Sequence, residues 1–272
     1  MRTLTLLILL LIVPLLHGCA SSRGERTAWT ENATLLPGWQ RIGRSAADAA
    51  FDPQVWIPLL GAATFTLGDL DEEVSDWARD KTPLFGDTED ATDASDDLLF
   101  LGTAFYVGTA LAADSGDNTS EWLLNKGRGL LGGFTILAVN NATTSGLKSL
   151  AGRERPGGGG EDGDDDSFPS RHTSHAATSA ALASRNLDYT GIGDTGKAWL
   201  RVGLHGTAAL TGWARIEAGR HYPSDVLAGY ALGQFLGRFL NDAFLMPDRG
   251  MHLTLHPADE EGRLMLGLQF RP

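Results

Sequence analysis

The chain has 272 residues, 42% of them hydrophobic and 21% charged, which is enough apolar sequence to bury a substantial core. Its 22 lysines and arginines against 34 acidic residues give a formal net charge of -12, which disfavours a nucleic-acid binder that relies on a broad basic face. The single cysteine, Cys19, excludes an internal disulfide framework and a cysteine-rich metal site.

The first residues have the layout of an export signal, with Arg2 followed by an apolar run over 4–16. The end of this run, Leu16-His17-Gly18-Cys19-Ala20-Ser21, resembles a bacterial lipoprotein signal, in which the cysteine is lipidated and becomes the new N-terminus. The resemblance implies a signal peptide over 1–18 and a tether over 19–45. It also implies a lipid-anchored protein of the bacterial cell envelope that faces the periplasm, of the outer-membrane-sorted class. A plain secretory signal and a short anchor helix remain the alternatives.

Five uncharged stretches rich in Ala, Leu, Gly and Thr predict helices: 54–68, 98–113, 129–147, 202–214 and 226–237. Most are shorter than the ~20 apolar residues that a spanning helix needs. The longest contains Asn140, Asn141 and Thr144. We therefore expect a single water-soluble bundle over 46–248 with very apolar internal helices, and a multi-span membrane protein is the alternative.

Three further segments lie around these helices. The acidic segment 69–97 is interpreted as a solvated connector, although it could also rim a pocket. The Gly- and Asp-rich segment 157–166 predicts a loop without packing, and its spacing does not match the EF-hand calcium pattern. Period-two alternation on either side of a turn predicts a small C-terminal β-hairpin over 249–272.

Three groups of residues along the chain suggest chemistry on an anion. Lys148 and Arg155 are seven residues apart, so the spacing places both cations on one face of a helix before Pro156 ends it. Pro169 and Ser170 predict a helix start, where free backbone N–H groups can bind a phosphate.

The third group contains a histidine with a carboxylate one helical turn away. Asp225 lies four residues after His221, so its carboxylate can reach Nδ1 and fix the tautomer of the ring. Together with Arg215 and His172, the three groups supply the cations, nucleophile and acid that phosphoryl transfer requires.

The ordered segments Lys148-x6-Arg155-Pro156, Pro169-Ser170-Arg171-His172 and Arg215-x5-His221-x3-Asp225 resemble the three motifs of the type 2 phosphatidic acid phosphatase superfamily. This superfamily also includes bacterial acid phosphatases and vanadium haloperoxidases. The resemblance covers 148–225 and implies a mostly α-helical bundle of that type. The position of Arg171 is usually glycine in the family, and Ala214 replaces a common serine.

The resemblance also implies roles for these residues. His221 would attack phosphorus to form a phosphohistidine, Asp225 would orient it, and His172 would protonate the leaving oxygen and then activate water. The phosphoryl oxygens would be held by Lys148, Arg155, Ser170, Arg171 and Arg215. Among the other histidines, His175 is predicted to support the site or the core, His205 to lie in the core, and His252 and His256 to lie on the hairpin.

The expected reaction is metal-independent hydrolysis of a phosphate monoester or pyrophosphate, with no cofactor and with vanadate binding as a phosphate mimic. The substrate would be a phosphorylated lipid, such as phosphatidic acid or a polyprenyl phosphate, or a small phosphomonoester. The alternatives are a vanadate-dependent haloperoxidase and a non-catalytic envelope lipoprotein that binds anionic lipid.

Overall fold

The structure is a computed structural model that describes residues 27–156 and 166–246, together with the backbone of two strands beyond them. The predicted signal peptide over 1–18, the lipidation site Cys19 and the loop residues 157–165 lie outside the described residues. So do the side chains of His252 and His256.

Helices make up most of the described part of the chain, which confirms the mostly α-helical fold class. They are α1 (Trp39–Ala50), α2 (Pro53–Leu67), α3 (Leu70–Lys81), α4 (Thr88–Ala112), α5 (Thr119–Ala151), α6 (Arg171–Asn186), α7 (Asp194–Glu217) and α8 (Pro223–Leu240). A 3-10 turn (Leu187–Tyr189) follows α6, and a π-helical turn (Asn241–Leu245) follows α8. The strands β1 (Gly250–His256) and β2 (Met265–Arg271) pair antiparallel, with Gly250 opposite Arg271. Each of the five apolar stretches lies mainly within one helix.

Short polar side chains determine where several helices begin. Asp52, Asp87 and Asn118 each accept a hydrogen bond from a backbone N–H in the first turn of α2, α4 and α5. At the other end of α5, Gly152 adopts the left-handed conformation (φ 54°), and its N–H donates to Lys148 O. The helix therefore stops at Ala151.

The central element is α6, which packs against α4, α5, α7 and α8. It is rich in small residues and almost entirely buried, with Ala177 and Ala183 at 0% exposure. Its contact with α8 is very close, because glycines at 229, 233 and 237 form one stripe of α8. A Cβ at Gly233 would lie 2.2 Å from Ser174 O, and one at Gly229 would lie 2.6 Å from Ser170 O. Small side chains on both helices thus allow their backbones to touch.

Buried polar groups fasten the neighbouring helices to α6. Ser174 donates a hydrogen bond of 2.6 Å to Asn140 Oδ1 on α5, and Thr178 donates one of 3.1 Å to Gly233 O on α8. Gln234 Nε2 donates to Ala177 O at 2.9 Å. The polar residues inside the apolar stretch of α5 therefore face the central helix.

The expectation of very apolar internal helices holds for α8 but not for the central helix, α2 or α5. The central helix α6 is built of Ala, Ser and Thr, whereas the more apolar α2 and α5 lie outside it and expose large side chains. On α2 these include Trp56 and Leu60, and on α5 they include Leu131 at 72% and Leu150 at 84% exposure. Close backbone packing favours small residues inside the bundle, which leaves the leucines for its surface. Within the described ranges, no helix combines the length and hydropathy of a membrane span.

The interpretation of 69–97 as a solvated connector is also wrong. Most of this segment belongs to α3 and to the first turns of α4. The turn between these helices is fixed by Glu217 at the end of α7, which is fully buried and accepts hydrogen bonds of 3.1 Å from the N–H groups of Leu84 and Phe85. Asp71 and Ser95 of the same segment are buried as well.

Part of the predicted tether over 19–45 belongs to the folded domain. Trp29 is 1% exposed within the main core, and its Nε1 donates to Asn186 Oδ1 at 3.0 Å. The neighbouring Thr30 hydroxyl donates to Asn125 O, and α1 begins at Trp39. A tether can therefore extend only over the residues before Trp29.

The close contact between α6 and α8 generates a prediction about stability. Gly233→Ala forces a methyl group against Ser174 O, so we expect the free energy of unfolding to fall by about 1–3 kcal/mol in urea titrations. The matched control is Gly203→Ala in α7, where a Cβ meets nothing within 4 Å and where alanine should stabilise the helix by about 0.5–1 kcal/mol. Equal effects of the two substitutions would contradict the close contact.

Candidate active site

The residues of the three motifs converge at one end of the bundle. Lys148 is near the end of α5, Ser170 to His172 form the start of α6, Arg215 is near the end of α7, and Asp225 is in the first turn of α8. A direct link joins two of these elements, since the N–H of Ser170 donates to Asp225 O at 3.0 Å. The helix ends therefore form one continuous site.

His221 and Asp225 are the most deeply buried pair of the site, at 2% and 0% exposure. His221 Nδ1 lies 3.8 Å from Asp225 Oδ2, which is longer than a hydrogen bond. Burial lowers the pKa of His221 to about 4, the nearby charges of Arg215 and Lys148 act in the same direction, and Asp225 opposes them. The imidazole is therefore neutral near pH 7, with Nε2 as the nitrogen turned away from the carboxylate.

His172 is paired with a carboxylate that the sequence did not indicate. Its Nε2 lies 2.9 Å from Asp96 Oδ1 on α4. Burial lowers the pKa of His172 to about 4, the charges of Arg215 and Arg171 lower it further, and Asp96 raises it. Each of the two histidines thus has an aspartate neighbour.

The cations of the site lie close enough to repel one another. Arg215 is 7% exposed, its Nη1 donates to Ser95 Oγ at 3.2 Å, and its Nε has no hydrogen-bond partner among the described residues. Burial lowers the pKa of Arg215 to about 10, and the positive charges of Arg220, Arg155 and Arg171 contribute to this shift. Such a cluster favours a bound anion, which would relieve the repulsion.

Lys148 and Arg155 do not share a helix, so the prediction that they project from one helical face is wrong. Gly152 ends α5 three residues before Arg155. Lys148 is buried and its ammonium donates to Asp166 O, whereas Arg155 lies in the chain segment that follows the helix. The structure brings both cations to the same cluster, because Lys148 affects the pKa of His221 and Arg155 affects that of Arg215.

Ser170 and Arg171 mark the start of α6. Ser170 is the N-cap residue, is 0% exposed, and its Oγ lies 2.9 Å from Thr173 Oγ1. Arg171 is the first residue of the helix and its side chain is exposed. It can therefore contact a ligand only on the solvent-exposed side of the site.

Sequence reasoning missed Asp71, Ser95, Asp96 and Arg153. Arg153 binds Asp71 and Asp225 at once, and Asp71 also accepts the N–H of Ser224. Asp71, Ser95 and Asp96 belong to the acidic segment 69–97. Because this segment contains many carboxylates, the sequence did not indicate which of its residues are buried or paired. For Arg153, the signal in the sequence was its position two residues before Arg155.

The other histidines have structural partners. His175 Nδ1 and Nε2 lie 3.2 Å from Asn141 Oδ1 and Thr103 Oγ1. His205 lies between Ser184 and Tyr230, away from the motif residues. The position of His175 is compatible with the role predicted for it, whereas His205, predicted to lie in the core, is half-buried.

Comparisons with known proteins add a family and a fold. The model of the PAP2 superfamily matches residues 129–246. Among solved structures, the chain is similar to the first transmembrane PAP2 type phosphatidylglycerolphosphate phosphatase from Bacillus subtilis, with 23% identity and a TM-score of 0.51. The match covers 69% of this chain and 92% of that one, and at this identity it shows the fold alone. No curated protein matches the chain.

The charge arrangement of the site generates a prediction about titration. In NMR of the free protein we expect His172 and His221 to titrate near pH 4. In Arg215→Met the pKa of His172 should rise, because loss of a neighbouring positive charge makes protonation less costly. His205 is the internal control, because its pKa of about 4 depends on burial and then on Arg238, Asp52 and Arg201. An unchanged His172 titration in the variant would contradict the proposed coupling.

Proposed function

Because residues 129–246 match the model of the PAP2 superfamily, we propose that the chain is a phosphatase that hydrolyses phosphate esters or pyrophosphates through a phosphohistidine on His221. The observation that supports this most directly is the pair of histidines with lowered pKa values, each beside an aspartate, next to the buried cations Lys148 and Arg215. That arrangement supplies a nucleophile, a proton donor and charge stabilisation in one place.

In the first step, Nε2 of His221 attacks phosphorus while the bond from phosphorus to the leaving oxygen breaks. His172 gives its proton to that oxygen, and Asp225 stabilises the positive charge that develops on the His221 ring. In the second step, His172 takes a proton from water, the resulting hydroxide oxygen bonds to phosphorus, and the N–P bond breaks to release phosphate. The low pKa of His221 keeps its ring neutral and nucleophilic, and a bound phosphate dianion would raise the pKa of His172 toward a donor's range.

The phosphoryl oxygens would be held by Lys148, Arg155, Ser170, Arg171 and Arg215, as the family resemblance implies. Arg215 supports this role best, because its buried Nε lacks a hydrogen-bond partner among the described residues. The positive charges of these side chains can balance the equatorial oxygens of the transition state without a metal ion. We therefore propose that the reaction is metal-independent, needs no cofactor, and is inhibited by vanadate.

The surroundings of the site favour a phosphorylated lipid as substrate. Phe100 lies one turn beyond Asp96 on the same face of α4. Its side chain is 69% exposed. Large apolar side chains beside an anion site suit a ligand with a charged head and an acyl or prenyl chain.

We further propose that the protein acts at a membrane of the bacterial cell envelope. The exposed apolar residues of α2 and α5 would contact lipid, and an acyl anchor on Cys19 would hold the chain on the periplasmic face of the outer membrane. The phosphate group of a membrane lipid and the active site would then lie at the same membrane surface.

The mechanism is tested by measuring phosphate release from phosphatidic acid, polyprenyl pyrophosphate and para-nitrophenyl phosphate in the presence of EDTA. We expect turnover that vanadate inhibits and that falls at least about 1000-fold in His221→Gln, because the nucleophile is lost. Rapid acid-free quenching of radiolabelled reactions should trap a phosphohistidine in the wild type only. Turnover that disappears with EDTA and returns with a divalent cation would contradict the proposal.

The lipid preference is tested with Phe100→Ser. We expect it to raise KM for phosphatidic acid in mixed micelles by about 3- to 10-fold, since about 1 kcal/mol of apolar contact is lost. KM for para-nitrophenyl phosphate should not change. Trp199→Ser is the control, because Trp199 is 72% exposed but lies in the first turns of α7, far from Arg215 at the other end of that helix. Equal effects on both substrates would contradict a lipid-binding rim.

A further inference from the structure

A bridge of charged side chains connects the start of α3 to the start of α8. Arg153 Nη1 donates to Asp225 Oδ1 at 2.7 Å, and Arg153 Nη2 donates to Asp71 Oδ2 at 2.9 Å. Both carboxylates are buried, Asp71 at 5% and Asp225 at 0% exposure. We call Asp71, Arg153 and Asp225 the Arg153 bridge.

The bridge has further contacts that fix its geometry. Arg153 Nη1 also donates to Ser224 Oγ at 2.8 Å, and the guanidinium lies 4.0 Å from the centre of the Tyr222 ring. Asp71 Oδ1 accepts the N–H of Ser224 at 2.9 Å. A planar guanidinium can serve two carboxylates and stack on an aromatic ring at once, which a lysine ammonium cannot do.

Burial by itself would lower the pKa of Arg153, but the charges and hydrogen bonds of Asp225 and Asp71 raise it, so the guanidinium stays charged. Leaving either carboxylate in the bundle without the arginine would be costly, because a buried unpaired charge is unstable. The arginine therefore supplies the buried Asp225 carboxylate with a charged partner.

The two oxygens of Asp225 have different tasks. Oδ1 is held by Arg153, whereas Oδ2 accepts the N–H of Tyr222 at 2.8 Å and faces His221 Nδ1 at 3.8 Å. Nδ1 of His221 has no hydrogen-bond partner among the described residues. Rotation of the Asp225 carboxylate about its last side-chain bond decides whether Nδ1 can form a hydrogen bond with it. The contact with Arg153 restricts this rotation.

We infer that Arg153 and Asp71 are positioning residues, which hold the Asp225 carboxylate oriented toward His221 Nδ1 and thereby select the His221 tautomer whose Nε2 is free to attack. This inference rests on the proposed function of His221. It adds a role for two residues that the three motifs do not specify, one of them on a helix that precedes the matched residues.

A double-mutant cycle tests the inference. We expect Arg153→Met to lower kcat by about 10- to 100-fold with little change in KM, as for other residues that orient a reacting group without contacting substrate. Asp225→Asn should lower kcat at least about 100-fold. In the Asp225→Asn background, Arg153→Met should then cost less than about 3-fold, because the group on which Arg153 acts is gone.

Two further variants separate positioning from stability. Arg153→Lys retains the charge but reaches only one carboxylate, so it should show an intermediate kcat, and it provides the test if Arg153→Met does not fold. Arg201→Met is the matched control, since it removes an ion pair with Asp188 at similar exposure away from the site, and its kcat should equal that of the wild type. Multiplicative losses in the cycle, or a rise in KM with unchanged kcat, would overturn the inference.

A readout without turnover distinguishes failure of the inference from failure of the proposed function. In protein labelled with 15N-histidine, the His221 signal, assigned with His221→Gln, should show Nδ1 protonated at pH 7 in the wild type. It should show a mixture of tautomers in Arg153→Met. A wild type without phosphatase activity would defeat the proposed function, whereas identical tautomers in the two proteins would defeat the role of the bridge.

Discussion

The backbone contact between α6 and α8 is the constraint on which the rest of the structure depends. The glycine stripe of α8 lets Ser170 and Ser174 approach so closely that a single methyl group would not fit. The same contact brings the N–H of Ser170 to Asp225 O, and so sets the start of α6 beside the start of α8. Because His172 and Asp225 lie within one turn of those starts, the helix contact also fixes the distance between the two parts of the site.

The site concentrates positive charge in a buried position, which is unfavourable while no anion is bound. Cations near Arg215 repel one another, and burial discourages the two histidines from adding to that charge. A bound phosphate reverses both costs, since it neutralises the arginines and makes protonation of His172 easier. The site is thus arranged for an anion, and the free energy of binding that anion can contribute to the proton transfer of the proposed reaction.

The acidic segment before the matched domain completes the site. Asp71 joins the Arg153 bridge, Ser95 binds Arg215, and Asp96 pairs with His172, although all three precede residue 129. Buried Glu217, at the end of α7, accepts hydrogen bonds from the turn between α3 and α4. These bonds hold the helices that carry Asp71, Ser95 and Asp96 in place against α7. The exposed leucines of α5 follow from the same architecture, because a central helix of small residues leaves large apolar side chains on the outside.

The sequence alone determined the five helices in the apolar stretches, the start of α6 and the order of the chemical groups, because apolar runs and capping residues act locally. It missed α1 and α3, whose residues it assigned to the tether and to a connector. It indicated His172, His221, Asp225 and the cations that the structure brings together. It misplaced Arg155 relative to α5, since a glycine at 152 can continue or end a helix. It also treated Asp71 as solvated and did not pair Asp96 with His172, because nothing local distinguishes a buried or paired aspartate from its neighbours. Those assignments depend on contacts between residues more than seventy positions apart, such as Asp71 with Arg153 and Asp96 with His172, and only the packing of the helices decides them.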